Sequence, residues 1–299
     1  MTTVSGPVVT RTIAELRAAL AAAGSIAFVP TMGALHDGHV QLFRHARPLG
    51  DVLVASIFVN PTQFGPGEDF DAYPRQFDAD LAACERAGVD VVFAPEVDQM
   101  YPAGTDGIVM VDPGDMGRVL EGASRPTHFR GVLTVVAKLF AIVRPHVAVF
   151  GEKDFQQLAL IRSMVRELAI PVDIVGCPII REDSGLAMSS RNVYLSEDER
   201  RLATALSRAL HAGQRAGAQG PAAVVAAARE VLDEASIAPD YLVLTNPYLT
   251  PDPTQGEARL LVAARVGAPR LLDNIAVHLP PAASTPATST PSHSTEQDQ

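Results

Sequence analysis

The segment SIAFVPTMGALHDGH (residues 25–39) runs from a compact apolar stretch into a glycine-bearing turn and on to two histidines three residues apart. A short apolar run bounded by turn residues suits a strand buried on both faces. The HVQLFRHARPLG that follows has helical spacing, so His36 and His39 fall at the start of a helix and share one side of it. Further apolar runs recur at DVLVASIFVN (51–60), VDVVFAP (89–95), VAVFG (147–151) and PVDIVGCPII (171–180), separated by helical patterns such as FDADLAACERAG. Alternating buried strands and helices predict an α/β domain, a Rossmann-like parallel sheet with right-handed crossovers. Ligands of such sheets sit beyond the carboxyl ends of the strands. That rule directs attention to PTMGALHDGH, NPTQFG and GEKDFQQ.

After about residue 180 the pattern changes. Two helical stretches, SEDERRLATALSRALHAG and PAAVVAAAREVLDEA, precede three short strand patterns, DYLVLTN, ARLLVAARVG and LLDNIAVHL. The expected organisation is a Rossmann-like domain over 1–179, a smaller α+β domain over 180–280, and a disordered tail over 281–299. The tail is Pro, Ser, Thr and Ala with almost no apolar surface to offset the entropy of ordering. The 299 residues carry 34 acidic against 24 basic side chains, a net charge of -10. This argues against the basic face that nucleic acid requires and favours small-molecule substrates. Two cysteines and an N-terminus without signal-peptide blocks point to the cytoplasm, and no apolar run approaches membrane-spanning length.

Three loops carry candidate chemistry. His36 and His39 suit a metal pair, although zinc needs a third protein ligand and neither HEXXH nor a cysteine cluster is present. Alternatively they add donors to a helix N-terminus, where free amides and the dipole attract phosphate and small Gly33 and Gly38 admit a ligand. Two histidines without a role are the third possibility, and His45, a turn beyond, stays in that class. Lys153, in GEKDFQQ, offers a cation against charge building up on phosphate. Met188-Ser189-Ser190-Arg191 supplies hydroxyls and a guanidinium, which phosphate oxygens favour. Asn60 and Gln63 could orient a polar substrate between Phe64 and Met32, or serve turn formation and packing alone. No P-loop is present.

Together, PTMGALHDGH, SIFVNPTQF, DAYPR, RPTHFRGV, VFGEKDFQQ, AMSSRN and RLLDNI, running in order from about residue 26 to 278, resemble the pantothenate synthetase (pantoate:β-alanine ligase) family. The resemblance implies a two-domain nucleotidylyltransferase whose HxGH motif, here HDGH, binds ATP. It implies that the pantoate carboxylate attacks the α-phosphate of Mg-ATP to give pantoyl adenylate, which the β-alanine amine then converts to pantothenate. AMSSR stands where related enzymes carry KMSKS, and its missing first lysine leaves the cationic role to Lys153 and Arg191.

Carried onto matching positions, the resemblance makes His36, His39, Lys153 and Arg191 catalytic, with His39 the proton donor. Met32, Gly33, Ala34, Leu35, His36, Asp37, Gly38 and His39 line the ATP site with Gly151, Glu152, Lys153 and Asp154. Ile180 lies near the adenine, and Met188, Ser189, Ser190 and Arg191 close over it. Gln63 and Gln157 hold pantoate, with Pro30, Met32 and Phe64 packing its gem-dimethyl group; Asn60 is added as a substrate contact from its place in the NPTQFG loop alone. Gln63 and Tyr73 place β-alanine, and Arg125 orders a covering loop. Where some relatives carry adjacent aspartates for Mg2+, this chain has Asp78-Ala79-Asp80, leaving Asp80 as the expected metal contact. The family also implies a homodimer. Competing readings are another HxGH nucleotidyltransferase, a catalytically inactive nucleotide-binding regulator and, last, a metallohydrolase.

Overall fold

The structure, a computed structural model, describes residues 6–68 and 70–281. The expected disordered tail therefore lies, apart from residue 281, outside the described residues. Six strands, β1 (Val8–Thr10), β2 (Ile26–Thr31), β3 (Val52–Ile57), β4 (Val91–Phe93), β5 (Val147–Gly151) and β6 (Asp173–Cys177), form one sheet in the order β1-β4-β3-β2-β5-β6. Every pairing in it is parallel. Of the five strands read from sequence, β5 matches its apolar run and β2 is offset from its run by one residue, whereas β3, β4 and β6 are shorter than theirs. β6 stops before Pro178, since proline cannot donate to a ladder. The three-residue β1 pairs with β4 at the sheet edge and is too short to leave a period.

Helices α1 (Ile13–Ala19), α2 (Asp37–Ala46), α3 (Phe77–Arg86), α4 (Val97–Met100), α5 (Glu121–Ser124), α6 (His128–Val143) and α7 (Phe155–Glu167) accompany the sheet. Strand side chains alternate between its faces. Ile26 and Phe28 join a core with α1, α6 and α7, whereas Ala27 and Val29 join a second core with α2 and α3. The former helices cover one face and the latter the other, as an all-parallel sheet requires. α6 is buried on most of its circumference. Its sequence, HFRGVLTVVAKLFAIV, lacks the polar face that identifies surface helices.

The smaller domain packs α8 (Glu197–Arg215) and α9 (Pro221–Glu234) against an antiparallel sheet of β7 (Pro239–Thr245), β8 (Gly256–Arg265) and β9 (Arg270–Leu279). Ser196 caps α8, accepting from the Glu199 amide while Glu199 bonds back to the Ser196 amide. Leu206, Leu210, Val224, Leu232, Leu260 and Val262 build its separate core. Phe155 and Ala159 of α7 meet Leu249 and Leu261 of the small domain in an apolar contact.

α6 lies so close to the Pro61–Gln63 turn that a side chain at Gly131 would overlap the Thr62 carbonyl and sit 2.6 Å from Gln63 Cα. Helix propensity favours alanine over glycine by up to about 1 kcal/mol, but overlap with backbone costs about 1–3 kcal/mol. Gly131→Ala is therefore expected to lower the thermal midpoint in calorimetry. A raised midpoint would show that the turn yields.

Candidate active site

Chain winding reverses between β2 and β5, the switch point where open α/β sheets bind ligands. Six residue pairs join β2 to β3, but only Ala27–Val147 and Phe28–Ala148 join β2 to β5. Beyond Phe28 these strands part. The carbonyls of Ser25 and Thr31 accept from Val52 and Phe58 on the β3 side. By alternation, Pro30 turns its missing N–H toward β5, where no ladder remains to need it. The two loops leaving this split are residues 32–36 and 152–154.

His36 is the N-cap of α2. Its Nδ1 accepts from the Gly38 amide at 3.1 Å, and His39 Nδ1 accepts from the His36 amide at 3.3 Å. Two imidazoles thus perform the reciprocal capping that Ser and Glu perform elsewhere. With both Nδ1 atoms accepting, the proton of each neutral ring sits on Nε2. The rings lie 4.2 Å apart. Gly38 is required by contact, because a Cβ there would lie 2.8 Å from His36 Cε1. Burial and then the Lys153 charge lower the His36 pKa, and burial and the neighbouring His36 push His39 down to about 3. Both rings are therefore neutral N–H donors at neutral pH.

Asp80 is not placed to hold magnesium. It is buried on α3, and its two carboxylate oxygens accept from the Ala34 amide at 3.0 Å and the Leu35 amide at 2.7 Å. Bonds to a charged acceptor contribute about 1.5–3 kcal/mol each, so this carboxylate is satisfied where it stands. It braces Ala34, whose φ of 51° lies in the left-handed region disfavoured by residues with a Cβ. No group of three or more His, Cys, Asp or Glu suited to a metal ion occurs among the described residues.

On the β5 side, Gly151 leads into the turn Glu152–Asp154 and then α7. Lys153 Nζ lies 3.6 Å from Asp154 Oδ1. Desolvation would raise the Asp154 pKa, but Lys153, Arg191 and His128 together hold it below the usual carboxylate range. Lys153, Asp154, Gln157, Arg125 and Arg191 line one cavity of about 150 Å³ between the domains. Ser189 accepts from the Arg191 amide at 3.2 Å and caps the turn Ser190–Tyr194. The Met188 amide donates to the Ile180 carbonyl at 2.9 Å, closing a loop that brings Met188 within 3.7 Å of where a Gly38 side chain would start.

Gln63 stands beside Met32, donating Nε2–H to its sulfur at 3.0 Å. Asn60 is 1% exposed, and its side chain is engaged by its neighbours. It donates to Gln63 Oε1 at 3.1 Å and to the Gly131 carbonyl at 3.3 Å, and accepts from Tyr101 Oη at 2.7 Å. Its role is to orient Gln63, which corrects the expectation of substrate contact. Arg125 pairs with Glu68 through bonds of 2.9 and 2.6 Å, tying down the loop that carries Phe64 and Tyr73. The rings of Phe64 and Tyr73 meet edge to face at 6.0 Å.

Sequence reasoning missed Tyr101, His128, Glu121 and Arg270. His128 Nδ1 bonds to the Gln63 carbonyl at 3.0 Å and so carries its proton there. Burial and the Arg125 charge push the ring down to about 4. Glu121 accepts from Arg270 at 2.8 and 2.6 Å and from Tyr241 at 2.9 Å, linking the domains. A pair separated by 149 positions leaves no local pattern. His128 lay in the quoted RPTHFRGV, where its motif was the available signal.

A family model described as pantoate-beta-alanine ligase matches residues 8–276. Pantothenate synthetase of Thermobifida fusca is 56% identical over 286 residues, covering 91% of this chain and 96% of that protein. The crystal structure of pantothenate synthetase from Thermus thermophilus superposes with a TM-score of 0.83 at 48% identity, covering 90% and 98% of the two chains. Pantoate-beta-alanine ligase from Francisella tularensis, complexed with beta-gamma ATP and beta-alanine, gives 0.74 at 33% identity, covering 90% and 97%.

The depressed histidines make stability depend on pH. In the unfolded chain they take a proton near 6.5, whereas folded His39 and His128 refuse it until about 3 and 4. The unfolded state therefore binds more protons below 6.5, and stability falls as pH drops through that window. The thermal midpoint is expected to fall between pH 6.5 and 5, and less steeply in His128→Asn. A midpoint constant over that range would contradict the assignment.

Proposed function

The chain belongs to the pantoate–β-alanine ligase family, and we propose that the β2/β5 cleft is where it performs the family's chemistry. The protein condenses pantoate with β-alanine at the expense of ATP, through a pantoyl adenylate. A carboxylate is a poor electrophile, and adenylation gives its carbonyl a good leaving group. The pantoate carboxylate attacks the α-phosphorus of ATP and pyrophosphate departs. The β-alanine amine then attacks the acyl carbon and AMP departs. Both nucleophiles belong to the substrates, so the protein's task is positioning and charge stabilisation.

The observation that carries the assignment is the convergence on one split in the sheet of two neutral N–H donors, His36 and His39, and the Lys153 ammonium. In this reading the residues 32–39 and 151–154 receive the ATP phosphates. Lys153 and Arg191 oppose the charge that develops as the bond to pyrophosphate breaks, and His39 donates from Nε2. Ile180 borders the adenine, and Met188, Ser189 and Ser190 close over the nucleotide from the chain beyond residue 180. Gln63 and Gln157 bind pantoate without adding negative charge, Pro30, Met32 and Phe64 pack against its methyl groups, and Tyr73 and Gln63 direct β-alanine.

Magnesium enters this reading as part of the substrate, chelated by ATP. The fit supports that form, because Asp80 is committed to two amides and magnesium characteristically leans on phosphates and water. The homodimer is likewise a proposal from family membership, to be read by sedimentation. Both cysteines are free and buried, which suits the cytoplasm as the proposed location.

Pyrophosphate release in a single turnover is expected to require pantoate but not β-alanine. Release that waits for β-alanine would sink the adenylate order for this chain. Lys153→Ala is expected to slow adenylation by about a hundredfold or more while changing pantoate binding little, because its charge acts mainly on the departing oxygen. A variant of full rate would remove Lys153 from the site.

A further inference from the structure

The turn that presents Lys153 is held from the other domain. Asn274, on β9, donates from Nδ2 to the carbonyls of both Glu152 and Lys153, each at 2.9 Å. Its Oδ1 accepts from Arg259 Nε at 2.6 Å, and Arg259 Nη2 reaches Glu152 Oε2 at 2.8 Å. The same guanidinium stacks 4.3 Å over the ring of Phe155, the first residue of α7. The neighbouring Asp273 accepts two bonds from Arg181 at 2.6 and 2.9 Å and one from the Asn274 amide at 2.7 Å. Asn274 is 2% exposed and Arg259 9%.

These groups are expensive to bury unless fully paired, and an apolar contact already joins the domains through Phe155 and Leu261. Satisfied polar networks specify one geometry where apolar contacts tolerate sliding. The side chain at 274 must donate twice and accept once, which an amide does. Aspartate would set an oxygen against the two carbonyls, and alanine would leave them without this donor.

We propose that Asn274 is a positioning residue for the adenylation step, fixing from the small domain the backbone that aims the Lys153 ammonium. The proposal rests on the reading of Lys153 given above. Because that ammonium acts as a point charge on a long flexible stem, its placement depends on the anchor at its Cα. A misplacement near 1 Å can cost on the order of a hundredfold in rate. Arg259 acts in the same unit by holding Asn274 Oδ1 and the Glu152 carboxylate.

A double-mutant cycle on the full chain tests this. Single-turnover adenylation is measured for the parent, Lys153→Ala, Asn274→Ala and the double variant. Asn274→Asp serves as a second single variant that keeps the acceptor for Arg259 and replaces the donor with an oxygen opposed to the two carbonyls. Both single changes at 274 are expected to slow adenylation roughly ten- to a hundredfold with KM for ATP and pantoate within about threefold. In the Lys153→Ala background, Asn274→Ala should add less than about twofold, since the group being aimed is gone. Full multiplicative loss in that background, or unchanged rates in both single variants, overturns the positioning role while leaving Lys153 in the site. A Lys153→Ala protein of full rate brings down the underlying assignment as well, so the two failures are told apart by one arm.

Discussion

Strands β2 and β5 share two residue pairs and then separate, and the cleft depends on that separation. Had the ladder continued, the loops after Thr31 and Gly151 would emerge side by side with no room between them. Pro30 helps prevent continuation, because a proline facing β5 cannot donate to it. The backbone beyond the split is then held by other means. Asp80 accepts from the Ala34 and Leu35 amides on one side, and Asn274 donates to the Glu152 and Lys153 carbonyls on the other. Buried polar groups outside the cleft thus do what ladder bonds do in the rest of the sheet.

Electrostatics within the cleft follow from the same arrangement. A protonated His36 or His39 would be buried beside Lys153, so burial and like charge keep both rings neutral. Neutral rings whose Nδ1 atoms accept backbone amides present Nε2–H as fixed donors. Preorganised donors need no rearrangement as charge develops, which is where electrostatic catalysis gains most. The protein is acidic, with net charge -10, yet Arg125, Arg191 and Arg270 also line the cavity. Arg125 and Arg270 are paired with Glu68 and Glu121, so the proposed polyphosphate site relies on Lys153 and Arg191.

Much of this was legible in the sequence. Strands buried on both faces read as apolar runs, and the loops that follow them at the carboxyl edge held the histidines, Lys153 and Gln63. The small domain announced itself through two amphipathic helices and three short strands. Residues that act through other residues were not legible. Asn60 read as either a substrate contact or a turn and packing residue because it lies in a polar loop at the carboxyl edge of the sheet, and it is buried and holds Gln63. Asp80 was expected to contact metal from the resemblance to relatives with adjacent aspartates, whereas its two oxygens accept from the Ala34 and Leu35 amides. Asn274 sat inside RLLDNI, whose alternation described a strand and could not report that its amide reaches residues more than 120 positions away. Long-range polar contacts carry no local period, so only the fold reveals them.

The central claim is that the reacting phosphate lies at the split between β2 and β5. The most direct measurement is a crystal structure of the protein with pantoate and a non-hydrolysable ATP analogue. The account predicts the α-phosphate within hydrogen-bond reach of His39 Nε2 and Lys153 Nζ, with the pantoate carboxylate on its open side. Triphosphate seated instead against Arg125, Arg265 and Arg270 in the neighbouring cleft of about 500 Å³, away from both histidines, would contradict it.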